Sequence, residues 1–367
     1  MPVINNSSSP QAVNIGNFDY LAAAAVLLAE AEIKTMSNNV SENDFALYNL
    51  TVQLLTRRKS TVAIETTSCV VLNIAALFLN AVLCWAVYSN DRLRRVTNIY
   101  VLALAVTDLL TASLVMPFLC GVSSRGSWIS TWFACQFQGY WCVVLAYTAQ
   151  LMFPLTAINR YVRVLYPRIY TKLFVKKYIL LSIGIVSTLA LCAPLPFLLR
   201  GHEFGFHPGM MICFYTIENA REKQAIYRIV FFTILPMLIV TYCYLRIYRV
   251  VKRHATKRLQ SVEEAATMPN NKLSVDDIVM TKTLFAIIFA FFVCWTPLYI
   301  ITAIDTAYRE FRLPRQAYFF ATYLVGLSSI ANPLIFGYMN ATFRDECKKL
   351  MNIIGLKRFS EGTHIEN

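Results

Sequence analysis

The sequence predicts an all-α membrane protein: a seven-transmembrane helix bundle with a short amphipathic helix after the seventh span. Three observations predict it. Of the 367 residues, 57% are hydrophobic and 15% are charged, against roughly 25% charged in a soluble domain, and mean hydropathy is +0.49. Seven apolar runs follow one another, each long enough at about 1.5 Å rise per residue to cross a hydrocarbon layer about 30 Å thick. The basic residues also gather in alternate connections. An odd number of crossings leaves the termini on opposite sides.

Residues 1–62 read as an extracellular tail with sequons at Asn5, Asn6, Asn39 and Asn49, candidate glycosylation sites on an exposed segment. The apolar stretch 21–29 is short and follows Asp19 without a basic region, so it does not read as a cleaved signal peptide. The bundle is expected over 63–340, with spans near 66–88, 98–120, 131–158, 176–199, 227–251, 280–304 and 316–339. Residues 341–367 remain for an amphipathic helix and a tail.

Most of the 34 basic residues fall on one side of this arrangement, in clusters such as Arg92–Arg95, Arg160–Lys177, Arg246–Lys282 and Arg344–Arg358. The basic side faces the cytoplasm. The N-terminus is then outside, where its sequons are usable, and the C-terminus is cytoplasmic. The formal charge of +13 therefore reads as cytoplasmic loops at a lipid bilayer, with no nucleic acid among the expected partners.

Several residues inside the spans carry chemistry. Asp108 stands alone in an apolar run of span two, where a carboxylate costs a few kcal/mol unless it meets polar partners. Asn80 in span one and Ser328, Ser329 and Asn332 in span seven are the candidates, making a polar pocket for water or a cation. In Phe291-Phe292-Val293-Cys294-Trp295-Thr296-Pro297 a mid-helix proline follows a bulky aromatic. Such a proline removes a backbone hydrogen bond and kinks the helix, although membrane helices tolerate proline routinely. Arg160 lies where span three meets the cytoplasm, a position that snorkelling also explains. Cys135 and Cys213 flank connections on the exterior side, where a disulfide persists, and no other pair is so placed.

These elements, in this order, resemble the rhodopsin-like (class A) G protein-coupled receptors over about residues 66–350. The landmarks are Asn80, Leu104-Ala105-x-x-Asp108, Trp128 before Cys135, Asn159-Arg160-Tyr161, Pro236 with Tyr244, Phe291-x-x-Cys294-Trp295-x-Pro297 and Asn332-Pro333-Leu334-Ile335-Phe336. Asn159-Arg160-Tyr161, Tyr244-Leu245-Arg246-Ile247 and Cys213-Phe214 look like melatonin receptors and their orphan relatives. Four positions depart from the family pattern. Asn159 replaces an acid beside Arg160, Phe336 replaces the NPxxY tyrosine, span four lacks its tryptophan, and Ala149 stands where a serine often helps to hold sodium.

The resemblance implies a plasma-membrane receptor that passes an extracellular small-molecule or peptide signal to a heterotrimeric G protein by outward movement of helix six. It places the ligand among Cys142, Val143, Ala146, Phe214, Phe232, Trp295 and Tyr299, with Phe291, Trp295 and Pro297 as the switch. Coupling falls to Asn159, Arg160, Tyr161, Tyr244, Asp277 and Phe336. No cofactor is expected, since span seven lacks a retinal lysine, although a sodium ion at Asp108 fits the family pattern. Cys142 stands where amine receptors carry an aspartate, which argues against a biogenic amine. No paired aspartates, Ser-His pair or HExxH motif lies in the spans, so an enzyme is not expected. A transporter predicts several intramembrane charges or a repeat, and a non-signalling relative is kept open by Asn159 and Phe336. His202 and His207 read as solvated loop residues or a metal-binding pair.

Overall fold

The computed structural model describes residues 42–91, 93, 98–215, 227–260 and 275–353. Seven of its helices are long and apolar enough to cross a membrane. They are spans one to seven: Lys59–Ser89, Ile99–Arg125, Trp132–Leu165, Lys176–Leu198, Tyr227–Lys252, Thr281–Tyr308 and Arg315–Met339. Each overlaps a predicted run, and the ends differ most at span one, which starts seven residues before residue 66, and at span three, which ends seven residues after residue 158.

Two spans depart from regular α-helix for local reasons. Span two breaks at Val115, between helices Ile99–Leu114 and Met116–Arg125, because Pro117 has no N–H to offer the preceding turn. Span five opens with a π-helical turn over Val230–Ile234 before the α-helix Leu235–Gln260. A wide turn of this kind changes which side chains face inward.

The interior is a continuous apolar cluster that includes Leu83, Leu104, Phe153, Val240, Leu284 and Phe336. Phe78, Leu189, Leu238 and Phe289 are more than half exposed on the outer faces. Apolar side chains on the outer faces as well as inside suit lipid as solvent, and each spanning helix satisfies its backbone groups internally.

At one end, the mouth, two further elements cover the bundle. A helix over Glu42–Leu55 stands within the stretch the sequence reads as polar tail. Leu50 and Leu54 explain it, being buried in a cluster with Cys69, Leu119, Val122 and Met211. The second element is an antiparallel hairpin of β1 (Phe204–His207) and β2 (Ile212–Tyr215), with Phe204 opposite Tyr215 and His207 opposite Ile212. The chain reverses at Met211, whose φ is +58°.

The hairpin is tied to span three at three places. A disulfide joins Cys135 to Cys213, with Cα atoms 5.5 Å apart. Gln136 exchanges two hydrogen bonds of 2.9 Å with the Phe204 backbone, and the Cys213 N–H donates to Gln138 Oε1 at 2.7 Å. Gly139 lets the strand come this close, because a Cβ there would lie 2.7 Å from the Phe204 ring.

At the opposite end the amphipathic helix Ala341–Ile353 follows span seven directly. Asn340 separates the two, and its Oδ1 accepts from the Phe343 N–H at 3.2 Å, which caps an orphan donor of the new helix. Asn90 at the foot of span one donates to Glu346 of that helix at 2.7 Å.

Candidate functional site

A cavity of about 230 Å³ runs down the bundle from beneath the hairpin. Its upper wall holds Met210, Ile212, Phe214 and Tyr215 from the hairpin, Cys142, Val143, Ala146 and Tyr147 from span three, and Arg228, Ile229 and Thr233 from span five. Trp295, Leu298 and Tyr299 of span six close one side, and Asp108, Ser328, Ser329 and Asn332 line its inner end. Six of the seven expected ligand-pocket residues line this space. Phe232 does not: it is buried and stacks on Tyr147 with ring centroids 4.1 Å apart. The π-helical turn accounts for the difference, since it presents Ile229 and Thr233 to the cavity instead.

The inner end is a polar knot. Asn332 Nδ2 donates to Asp108 Oδ2 at 2.9 Å. Asn80 Nδ2 donates to the carbonyls of Ala76 and Ser329, both at 2.9 Å. Trp295 Nε1 donates to Ser328 Oγ at 3.2 Å, and that hydroxyl donates to the Val325 carbonyl at 2.6 Å. Spans one, two, six and seven thus share one buried network. Its donor set fits sodium poorly: it holds one carboxylate, already engaged by an amide, and Ala149 brings no oxygen. Among the described residues no group of three or more His, Cys, Asp or Glu side chains gathers to hold a metal ion.

Beneath the knot the switch residues form a stack. Trp295 stacks on Phe291 with ring centroids 5.0 Å apart and planes inclined by 26°, and Phe291 meets Phe153 of span three at 4.2 Å. Pro297 sits inside the same continuous helix, Val275–Tyr308.

At the opposite end, Arg160 and Asn159 are both about 1% exposed, so Arg160 does not snorkel. The Asn159 amide makes no hydrogen bond among the described residues. Tyr244 is buried near them and packs on Phe285 at 5.4 Å, and Tyr161 meets Tyr242 at 6.0 Å. Phe336 is fully buried and meets Phe343 edge-on at 5.4 Å. The Asp277 side chain lies outside the described residues, as do Asn5, Asn6 and Asn39; Asn49 is exposed on the mouth helix.

A family model described as 7 transmembrane receptor (rhodopsin family) matches residues 79–336, most of the bundle. The chain belongs to this family. As a member it is a multi-pass plasma-membrane protein of a receptor family, whose members work between an extracellular ligand and a heterotrimeric G protein. Among similar proteins are melatonin receptor type 1A from Ovis aries, 29% identical over 74% of this chain and 73% of that one, and the same receptor from Gallus gallus, 29% identical over 74% and 75%. Melatonin receptor type 1B-B from Danio rerio is 25% identical over 76% and 79%.

The receptor's mouth also holds ionisable groups that sequence reasoning misses. Glu65 accepts from Arg57 Nη1 at 2.6 Å and from Arg315 Nη2 at 2.6 Å, with a longer contact to Arg315 Nη1 at 3.2 Å. Arg57 also donates to the carbonyls of Leu54 and Ser123, both at 2.8 Å, and the Arg315 N–H donates to Gln53 Oε1 at 3.0 Å. The mouth helix, its connection and spans one, two and seven therefore meet at one carboxylate. His207 is not a solvated loop residue. It is buried between Phe311 and Tyr318 with ring centroids 4.4 and 4.8 Å away. Its Nδ1 accepts from the Met210 N–H at 3.1 Å, and burial pushes its pKa down to about 3, so the imidazole is neutral.

Proposed function

We propose that this receptor stands in the plasma membrane with its N-terminus outside and its C-terminus in the cytoplasm. It binds a small extracellular ligand in the cavity beneath the hairpin and activates a heterotrimeric G protein by outward movement of span six. The observation that carries this reading is the unbroken line of contacts from ligand space to coupling end. The cavity wall includes Trp295 and Asp108, Trp295 stacks on Phe291, Phe291 packs on Phe153 of span three, and the same helix carries the buried Arg160 two turns further on.

Function then follows from two packings of one bundle. A ligand that touches Trp295 and Tyr299 acts only through its preference between packings, and a hundredfold preference is worth about 2.7 kcal/mol. Moving span six away from Phe153 and Tyr244 uncovers Arg160, giving a G protein segment a cleft. Asn159 brings no negative charge next to Arg160, so the resting state lacks the restraint an acid at that position supplies, and basal signalling is expected.

A G protein activation assay in cells tests this, reading basal signal and the response to melatonin, the ligand in the relatives' names. Arg160→Ala should abolish activation at wild-type surface expression, and Asp108→Asn should change the basal level. Wild-type signalling from both variants would sink the mechanism, as would a wild type that activates no G protein class.

A further inference from the structure

The cavity carries a chemical preference that depends on the reading of it as the ligand site. Only two charged residues among the described residues line it, and they differ in availability. Asp108, at the inner end, already accepts from Asn332. Arg228, at the mouth end of span five, lies over the Tyr215 ring with its guanidinium carbon 3.9 Å from the ring centroid. Among the described residues no carboxylate pairs with it. A guanidinium stacked on an aromatic face keeps its in-plane N–H donors free, and these fork onto a carboxylate with two parallel bonds.

A second observation points to the same spot. The Tyr215 hydroxyl is buried in the cavity wall beside the Tyr147 hydroxyl, and the contact between them falls short of full hydrogen-bond geometry, which leaves Tyr215 without a well-formed bond among the described residues. A buried polar atom left so costs free energy unless a ligand supplies its partner. Tyr147 stands beside it, held by its stack on Phe232, and Thr233 adds another hydroxyl to the same wall. Much of the remaining wall is apolar and aromatic, including Val143, Phe214, Leu298, Trp295 and Tyr299, with threonines such as Thr302 and Thr306 between them. A dry cavity of about 150 Å³ takes a benzene ring, so about 230 Å³ admits a fused bicycle with a short side arm.

We infer that the receptor's ligand is a small aromatic carboxylate, its acid group held by Arg228 and the Tyr215 hydroxyl and its ring system packed against Trp295 and Tyr299. The single cation suits one negative charge and disfavours a phosphate dianion. Melatonin, which is uncharged, fills the apolar part and leaves Arg228 without its counter-charge.

The test uses the purified full-length receptor in lipid nanodiscs and a panel of aryl- and indolyl-alkanoic acids, each matched with its primary amide. Binding is read by thermal stabilisation and direct titration, without G protein. Acids should bind at least tenfold more tightly than their amides, which is 1.4 kcal/mol. Arg228→Gln should erase that preference, Arg228→Lys should retain part of it, and Tyr215→Phe should weaken acids more than amides. The inference is overturned if no acid of the panel binds, if amides bind the wild type as well as acids do, or if the preference survives in Arg228→Gln. The wild-type comparison decides even where a variant fails to fold. Acids that bind through Arg228 without activating any G protein leave this inference standing and remove the proposed function. Signalling by melatonin with no acid binding does the reverse.

Discussion

Glu65→Gln is the sharpest single perturbation of the mouth. The carboxylate spans two guanidinium groups at 2.6 Å each, and the side-chain exposures of Arg57, Arg315 and Glu65 are 3%, 1% and 9%. Solvent screening is therefore slight, and the discount that applies to surface pairs does not apply. The amide keeps one acceptor oxygen and turns an NH2 group toward one arginine, leaving two buried cations without a counter-charge. Removing one partner of a buried ion pair costs about 3–5 kcal/mol. At the lower end of about 2 °C per kcal/mol for large domains, the unfolding midpoint should fall by roughly 8 °C. The readout is reaction of a thiol dye with the buried Cys69 and Cys243 as purified receptor is heated. Hydrogen exchange should rise over Glu42–Leu55, whose anchors are Arg57 and the Gln53–Arg315 bond. In the double variant Glu65→Gln with Arg57→Gln the losses should be less than additive, because the second change removes a stranded cation. A midpoint within 2 °C of wild type, or additive losses, would refute the idea that this carboxylate holds the mouth together.

Other perturbations separate the remaining parts. His207 is neutral when folded, with a pKa near 3, whereas the unfolded chain takes up a proton near pH 6.5. The unfolded state binds more protons between those values, so stability falls with pH there, by about 2 kcal/mol on going from pH 6.5 to 5; His207→Phe should flatten that dependence in thermal scans. Gly139→Val should displace the hairpin, since even a Cβ meets Phe204 at 2.7 Å, and ligand binding should weaken at least tenfold while the disulfide still forms by mass spectrometry. Cys213→Ser opens a link between residues 78 apart, which typically costs about 2–4 kcal/mol; a midpoint equal to the reduced wild type is the expected result.

The seven spans are legible in the sequence because hydrocarbon demands long apolar runs and the basic clusters alternate. The knot of Asn80, Asp108, Ser329 and Asn332 is legible too, since a lone carboxylate at that depth needs amides and hydroxyls from neighbouring helices. What escapes is whatever lies at a span edge or depends on tertiary packing. Glu65 and Arg315 sit one residue outside the apolar windows, where charged residues ordinarily face water, and only the fold shows that they meet across some 250 positions of chain. The mouth helix has two buried leucines in a polar stretch, too few to stand out. The hairpin's four-residue strands are below what alternation can reveal. Phe232 yields its expected place in the cavity wall to Ile229 and Thr233 because a π-helical turn has no sequence period of its own.

Where the seventh span gives way to the amphipathic helix, Phe336 and Phe343 meet ring edge to ring face. Such a joint has no proton to exchange and no bound water to release, so acidity and salt have little purchase on it. Its hold is a matter of volume and fit, which makes hydrostatic pressure the natural variable to probe it. Parting the rings opens a dry gap that solvent enters reluctantly, and the separated arrangement persists only when another apolar side chain takes the vacated place.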